Sequence, residues 1–169
     1  MKDLLPHGLL AVGGLLLAYV VWTSEQSAPT RAGVPVIDCT PETVEAIRYE
    51  STERLVNLRP RAMGEERGWW IDHEQRPETG PTTSEGFLAG SQVDAYVVGV
   101  ASLQASRDLG PREGEVLEQL GLKDSKTTWS LRCGERERRF DVGGRAYGSG
   151  ERYLRDQQSQ RIFLVAPMV

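Results

Sequence analysis

The chemistry available to this chain rests on a few residues. Cys39 and Cys133 are its only thiols. In an oxidising compartment an even pair can close a disulfide, and a ring from residue 39 to residue 133 would stabilise the fold by about 4 to 5 kcal/mol in the chain-entropy picture. Two separately buried thiols are the alternative, and the sequence leaves both open. Neither cysteine belongs to a CxxC pair and no His-x-His spacing accompanies them, so no metal site is expected. The histidines are His7 and His73. His73 sits between Asp72 and Glu74, but three consecutive residues at a strand end converge poorly on one reacting atom, and no Ser or Cys stands in a nucleophile motif that could use His73 as a base.

Two further stretches can be read for binding. The run Gly143-Gly144-Arg145-Ala146-Tyr147-Gly148-Ser149-Gly150 lacks the Lys-Ser/Thr ending of a phosphate-binding loop and does not open a helix, so a hairpin connection is expected. Trp69 and Trp70 are neighbours on a strand and must point to opposite faces. One is expected in the core, which leaves the other for a partner or glycan contact. No catalytic residue and no cofactor is expected.

The elements that position these residues follow from pattern. Val34–Asp38, Ile47–Glu50, Glu53–Arg59 and Gly68–His73 are short, β-rich runs, with a turn of helix or loop at Pro41-Glu42. The stretch Glu74–Gly90, broken by Pro77, Gly80, Pro81 and Gly86, predicts a surface loop. Ser91 and Asp94 resemble a capping box, and Val93, Tyr96, Val97, Val100 and Leu103 recur at helical spacing, predicting a helix over Gln92–Ser106 ended by Gly110 and Pro111. A shorter helix is expected over Glu113–Leu120, stopped by Gly121. Thr127–Cys133 then alternates with Trp129, Leu131 and Cys133 inward. Glu135–Val142 is its hairpin partner across Gly134, and its alternating Glu135–Arg139 charges read as a solvated face or edge guard. Arg152–Asp156 and Arg161–Ala166 form the final pair. Strands, helices, then strands predict an α+β domain, with one longer and one shorter helix on an antiparallel sheet.

The N-terminus is different in kind. Leu4–Trp22 carries no formal charge, and its seven Leu and three Val supply several kcal/mol toward membrane insertion, at roughly 0.3 to 0.6 kcal/mol each. Leu9, Leu10, Leu15, Leu16, Leu17, Val20 and Val21 form the apolar body, with Tyr19 and Trp22 as interfacial aromatics. The length is just enough to span a bilayer. The residues after Trp22 offer no small-x-small cleavage site, so an uncleaved single-pass signal anchor over residues 1–24 is expected. It is followed by a linker over 25–33 and an extracytoplasmic domain over 34–169. The bilayer is therefore an expected partner. A net charge of −4 with interspersed signs argues against nucleic acid.

The order of elements also carries a family resemblance. It rests on the strand pair ending in Trp69 and Ile71, a helix carrying Leu103, Ala105 and Arg107, and Leu120-Gly121-Leu122 entering a strand. Gly143-Gly144, Gly150, Tyr153 and Arg155 before the apolar Ile162–Val165 complete it. Over about Val44 to Ala166 the chain resembles the DUF4340 family. The resemblance implies a bacterial protein anchored in the cytoplasmic membrane, with its domain outside the cytoplasm, no defined catalytic residues, and an association with ABC-type transport or gliding-type envelope systems. A non-enzymatic accessory or scaffold role with a membrane-protein partner is the leading expectation. An envelope glycan- or ligand-binding module is the second and an uncharacterised enzyme the third.

Overall fold

The structure, a computed structural model, describes residues 33–64 and 66–166, without the side chain of Glu66. The expected membrane anchor and most of the linker lie outside the described residues. Among those described, no helix is long and apolar enough to cross a membrane.

The elements in chain order are β1 (Val34–Pro35), a 3-10 turn (Pro41–Thr43), β2 (Val44–Glu50), β3 (Arg54–Met63), β4 (Glu66–Gln75), β5 (Thr83–Leu88), α1 (Gln92–Ala101), β6 (Gln104–Pro111), α2 (Glu115–Gln119), β7 (Thr128–Cys133), β8 (Arg136–Arg145), β9 (Arg152–Asp156) and β10 (Arg161–Val165). All ten strands join one sheet in the order β1-β6-β10-β9-β8-β7-β2-β3-β4-β5, and every pairing is antiparallel. The domain is thus mostly antiparallel sheet with two helices, an α+β arrangement.

Alternation sorts the strands onto two faces. Ile47, Leu58, Trp69, Trp129, Leu131, Phe140, Leu154, Phe163 and Val165 turn to one face and share a single buried cluster with Val97, Val100 and Ala101 of α1. Residues from strands near both ends of the sheet meet in that cluster, so the sheet must coil around the helix. Irregular register in β2, β8 and β10 supplies the bends. None of α2 is buried, but Leu122 just beyond it is fully buried.

Several expectations are corrected by the tertiary ladder. The helix predicted to Ser106 ends at Ala101, because the Leu103 carbonyl accepts the N–H groups of Val36 and Ile37 and Ala105 pairs with both β1 and β10. Leu103, Ala105 and Arg107 therefore do not ride on a helix, and Gly110 and Pro111 end β6 instead. The loop predicted over Glu74–Gly90 contains β5, a strand whose six residues are all exposed. With no buried face it has no alternation to show, and only its hydrogen bonds to β4 reveal it. Ser91 makes no side-chain cap; Asp94 instead accepts the indole N–H of Trp69 at 3.2 Å, which seats α1 on β4.

Gly143 and Gly144 are not in the predicted connection either, because β8 continues through them. A Cβ on Gly143 would lie 2.6 Å from the Leu120 carbonyl oxygen, so glycine there admits the backbone that follows α2. The turn proper contains Gly148 and Gly150, both at positive φ. The Glu135–Arg139 charges guard no edge, since β8 lies between β7 and β9.

A disulfide joins Cys39 to Cys133, with Cα atoms 6.5 Å apart. It ties the segment between β1 and β2 to the end of β7, and both cysteines pack against the core. Reduction, or replacement of both by Ser, is expected to lower stability by about 4 kcal/mol. Thermal melting of the full chain in detergent with and without reductant measures it, and equal melting temperatures would contradict the structural role.

Candidate functional site

A wide apolar concavity lies on the core face, where α1 leaves part of the sheet uncovered. Ile47 and Tyr49 of β2, Val56 and Leu58 of β3 and Ile71 of β4 form its floor. The turn Ala89–Val93 and the α1 residues Tyr96, Gly99 and Val100 form one wall, and Leu103 and Ala166 close the lining. Its volume is about 1020 Å³, at the upper end of the roughly 300 to 1,000 Å³ typical of small-molecule sites. Ile47, Leu58 and Val100 are buried at its base, while Tyr49, Val56, Ile71, Val93 and Tyr96 are half-exposed. Gly99 lines it from α1, and no atom lies within 4 Å of where its Cβ would stand.

Polar groups here are few. Burial pushes the Tyr96 phenol above its ordinary pKa, and the nearby indole of Trp129 offsets part of that rise. The Trp129 N–H is itself buried and lacks a partner in hydrogen-bond geometry; the phenol oxygen stands near it without closing a well-formed bond. The Arg54 guanidinium lies over the Tyr49 ring, 5.3 Å from its centroid.

The two tryptophans part company as expected of strand neighbours. Trp69 is 5% exposed and structural: its indole binds Asp94, and Arg67 both stacks on it and donates to the backbone carbonyls of Glu42 and Val44. Trp70 faces the other way and is half-exposed. Its ring lies over Gly86, its N–H donates to Asp72 at 3.0 Å, and Arg61 stacks 4.4 Å from its centroid. Met63 and Leu88, both 46% exposed, meet over Gly68, and Leu88 stands directly opposite Trp70. The ring is therefore part of an apolar patch capped by a cation rather than a bare platform.

This patch borders the open edge of the sheet. The Ala89 N–H bonds to the Trp69 carbonyl, so by strand alternation Thr83, Glu85 and Phe87 turn their backbone groups to β4. Ser84, Gly86 and Leu88 turn theirs outward, and among the described residues no strand pairs with them. At the sheet's opposite end, β1 is two residues long and contains Pro35, both protective features. Strand β5 has no proline, no bulge and one charge, Glu85. Its composition, read as loop, hid this surface from the sequence; only the spacing of Phe87 and Leu88 after the hairpin hinted at it.

Elsewhere on the Trp70 face, charges are paired. Arg48 and Arg76 hold Glu50 below its ordinary pKa, and Arg139 does the same for Glu137. Arg48, Glu50, Glu137 and Arg139 line a polar depression of about 540 Å³ with Arg59, Arg132, Asn57 and Ser130. His73, Asp72 and Glu74 do not converge. Asp72 pairs with Arg59 and Glu74 with Arg76, on the face opposite His73 by alternation. Among the described residues, no cluster of His, Cys, Asp and Glu could hold a metal ion.

Compared with known proteins, the chain matches no family model, no curated protein and no solved structure.

The most buried carboxylate is structural. Asp156 is 1% exposed. Burial alone would raise its pKa, but the Gln158 N–H, the Ser159 hydroxyl and Arg138 outweigh that and hold it below the ordinary value. A depressed folded-state pKa means the stabilisation is present above the unfolded value, about 3.9, and is lost as pH falls through the folded one. Asp156→Asn is expected to cost roughly 2 to 3 kcal/mol at neutral pH and to flatten the loss of stability below about pH 4. Melting curves across that window decide it: a variant that keeps the wild-type acid slope would show that other groups carry it.

Proposed function

We propose that this chain is a non-enzymatic accessory protein, anchored in the cytoplasmic membrane with its domain outside the cytoplasm. In this reading it docks an extended segment of a membrane-protein partner onto the outer edge of β5. The observation that carries the proposal is that edge: Ser84, Gly86 and Leu88 present unpaired backbone groups, beside the patch of Met63, Trp70 and Leu88. Strand addition draws affinity from main-chain hydrogen bonds and specificity from alternate side chains. Arg61, stacked on Trp70 and in no ion pair among the described residues, favours an acidic residue in the incoming strand on that face.

The uncharged Leu4–Trp22 segment supports the anchored location, and the DUF4340 resemblance supports an envelope system as its setting, with ABC-transporter components as the kind of partner. The disulfide fits a compartment outside the reducing cytoplasm.

Ser84→Pro removes an outward donor and leaves the β4 ladder its bonds, and Leu88→Lys installs an edge guard. Each is expected to cut recovery of the stoichiometric partner in mild-detergent purification by about tenfold, equivalent to about 1.4 kcal/mol, with melting temperature nearly unchanged. In hydrogen exchange, the amides of Ser84, Gly86 and Leu88 should gain protection in the complex. Equal recovery with both variants, or a wild-type chain always isolated alone, would refute strand addition.

A further inference from the structure

The apolar groove is a separate surface from the β5 edge, and its lining has a definite chemistry. None of its side chains is charged at neutral pH. Its floor is branched aliphatic, and Tyr49, Ser91, Gln92 and Tyr96 supply the few polar side chains. Gly99 stands in the last turn of α1, and a Cβ there would meet no atom within 4 Å. The groove beside it is open, and Tyr49, Val56, Ile71 and Val93 along it are only partly buried.

The rim adds a charge. Arg54 lies over the Tyr49 ring, next along its strand face from Val56, and makes no ion pair among the described residues. On the same face, His73 stands opposite Val56 and Glu85 opposite His73, which leaves Arg54 as the cation on the β2–β3 side. An uncharged trough with one cation at its rim complements an amphiphile with one apolar chain and one anionic head. We propose that the groove binds a free fatty acid, its acyl chain along the floor beneath Gly99 and its carboxylate paired with Arg54.

The test uses the full chain in a fluorinated surfactant, with a homologous series of saturated fatty acids bearing a diazirine. Affinity should rise roughly fourfold per methylene until the chain fills the groove, and then level off. Crosslinks should map to the tryptic peptide Gly68–Arg107, which contains all of α1, because the Arg76–Pro77 bond resists trypsin. Gly99→Trp fills the groove and should reduce that labelling by about tenfold, while Gly99→Ala retains it and reports that α1 tolerates substitution. Arg54→Gln, an exposed change, should weaken the carboxylate but not its methyl ester, and leave the plateau length unchanged. Labelling confined to the N-terminal peptides, labelling of Gly68–Arg107 indifferent to Gly99→Trp, or occupancy by diacyl phospholipid but not by fatty acid would each overturn the proposal.

Discussion

A ten-stranded antiparallel sheet needs cover, and among the described residues a single helix of ten residues, α1, supplies it. That shortage governs the rest of the domain. Where α1 lies, Val97, Val100 and Ala101 close over the strands and a core forms. Beyond its reach the sheet must curl onto itself, or carry a polar surface, or leave apolar residues wet. All three happen. The coiling brings Trp69 and Ala105 into one cluster, the Trp70 face of β2, β3, β7 and β8 carries ion pairs, and the groove beside Gly99 is what remains unfilled.

The polar solution is economical because its ion pairs are local. Arg48 with Glu50, Arg76 with Glu74 and Arg139 with Glu137 are pairs two residues apart in the chain. Being partly exposed, each contributes little to stability, and their main effect is to keep a broad sheet face soluble. The deeper carboxylates are handled differently. Asp141 receives Arg155 and Gln157, and Asp156 receives Arg138, Ser159 and a backbone N–H. These bonds lock β8 to β9 in the middle of the sheet, where a free charge would be costly.

What could be read from the sequence was what has a buried face. Trp129 and Leu131 alternate, and β7 is where they place it. Gly134 turns the hairpin, and β9 and β10 fall on their apolar runs. The same rule explains the failures. Strand β5 buries nothing and so has no pattern; its existence depends on hydrogen bonds from β4, which no local window contains. Leu103 continues a helical period by coincidence, and its carbonyl, claimed by Val36 and Ile37, decides against it. Trp69 and Trp70 were separable by parity alone, but which one is core depends on α1 arriving on one face. The groove could not be inferred, because it is an absence: Gly99 reads as a weak helix residue until the space above it is seen.

The disulfide acquires another meaning from where it sits along the chain. The residues from 33 to Cys39 are held by backbone bonds through the two-residue β1 and the N–H groups of Val36, Ile37 and Cys39, which reach Leu103 and Ala101. Tension entering the domain from residue 33 would peel these contacts one at a time, the weakest geometry for a sheet. At Cys39 the peeling stops, because the covalent bond passes the load to Cys133 at the end of β7, a strand flanked on both sides. From there, force must shear several backbone bonds together. The crosslink thus sets a load path, and a tether pulling on the N-terminal side would draw on the middle of the sheet rather than unravel its margin.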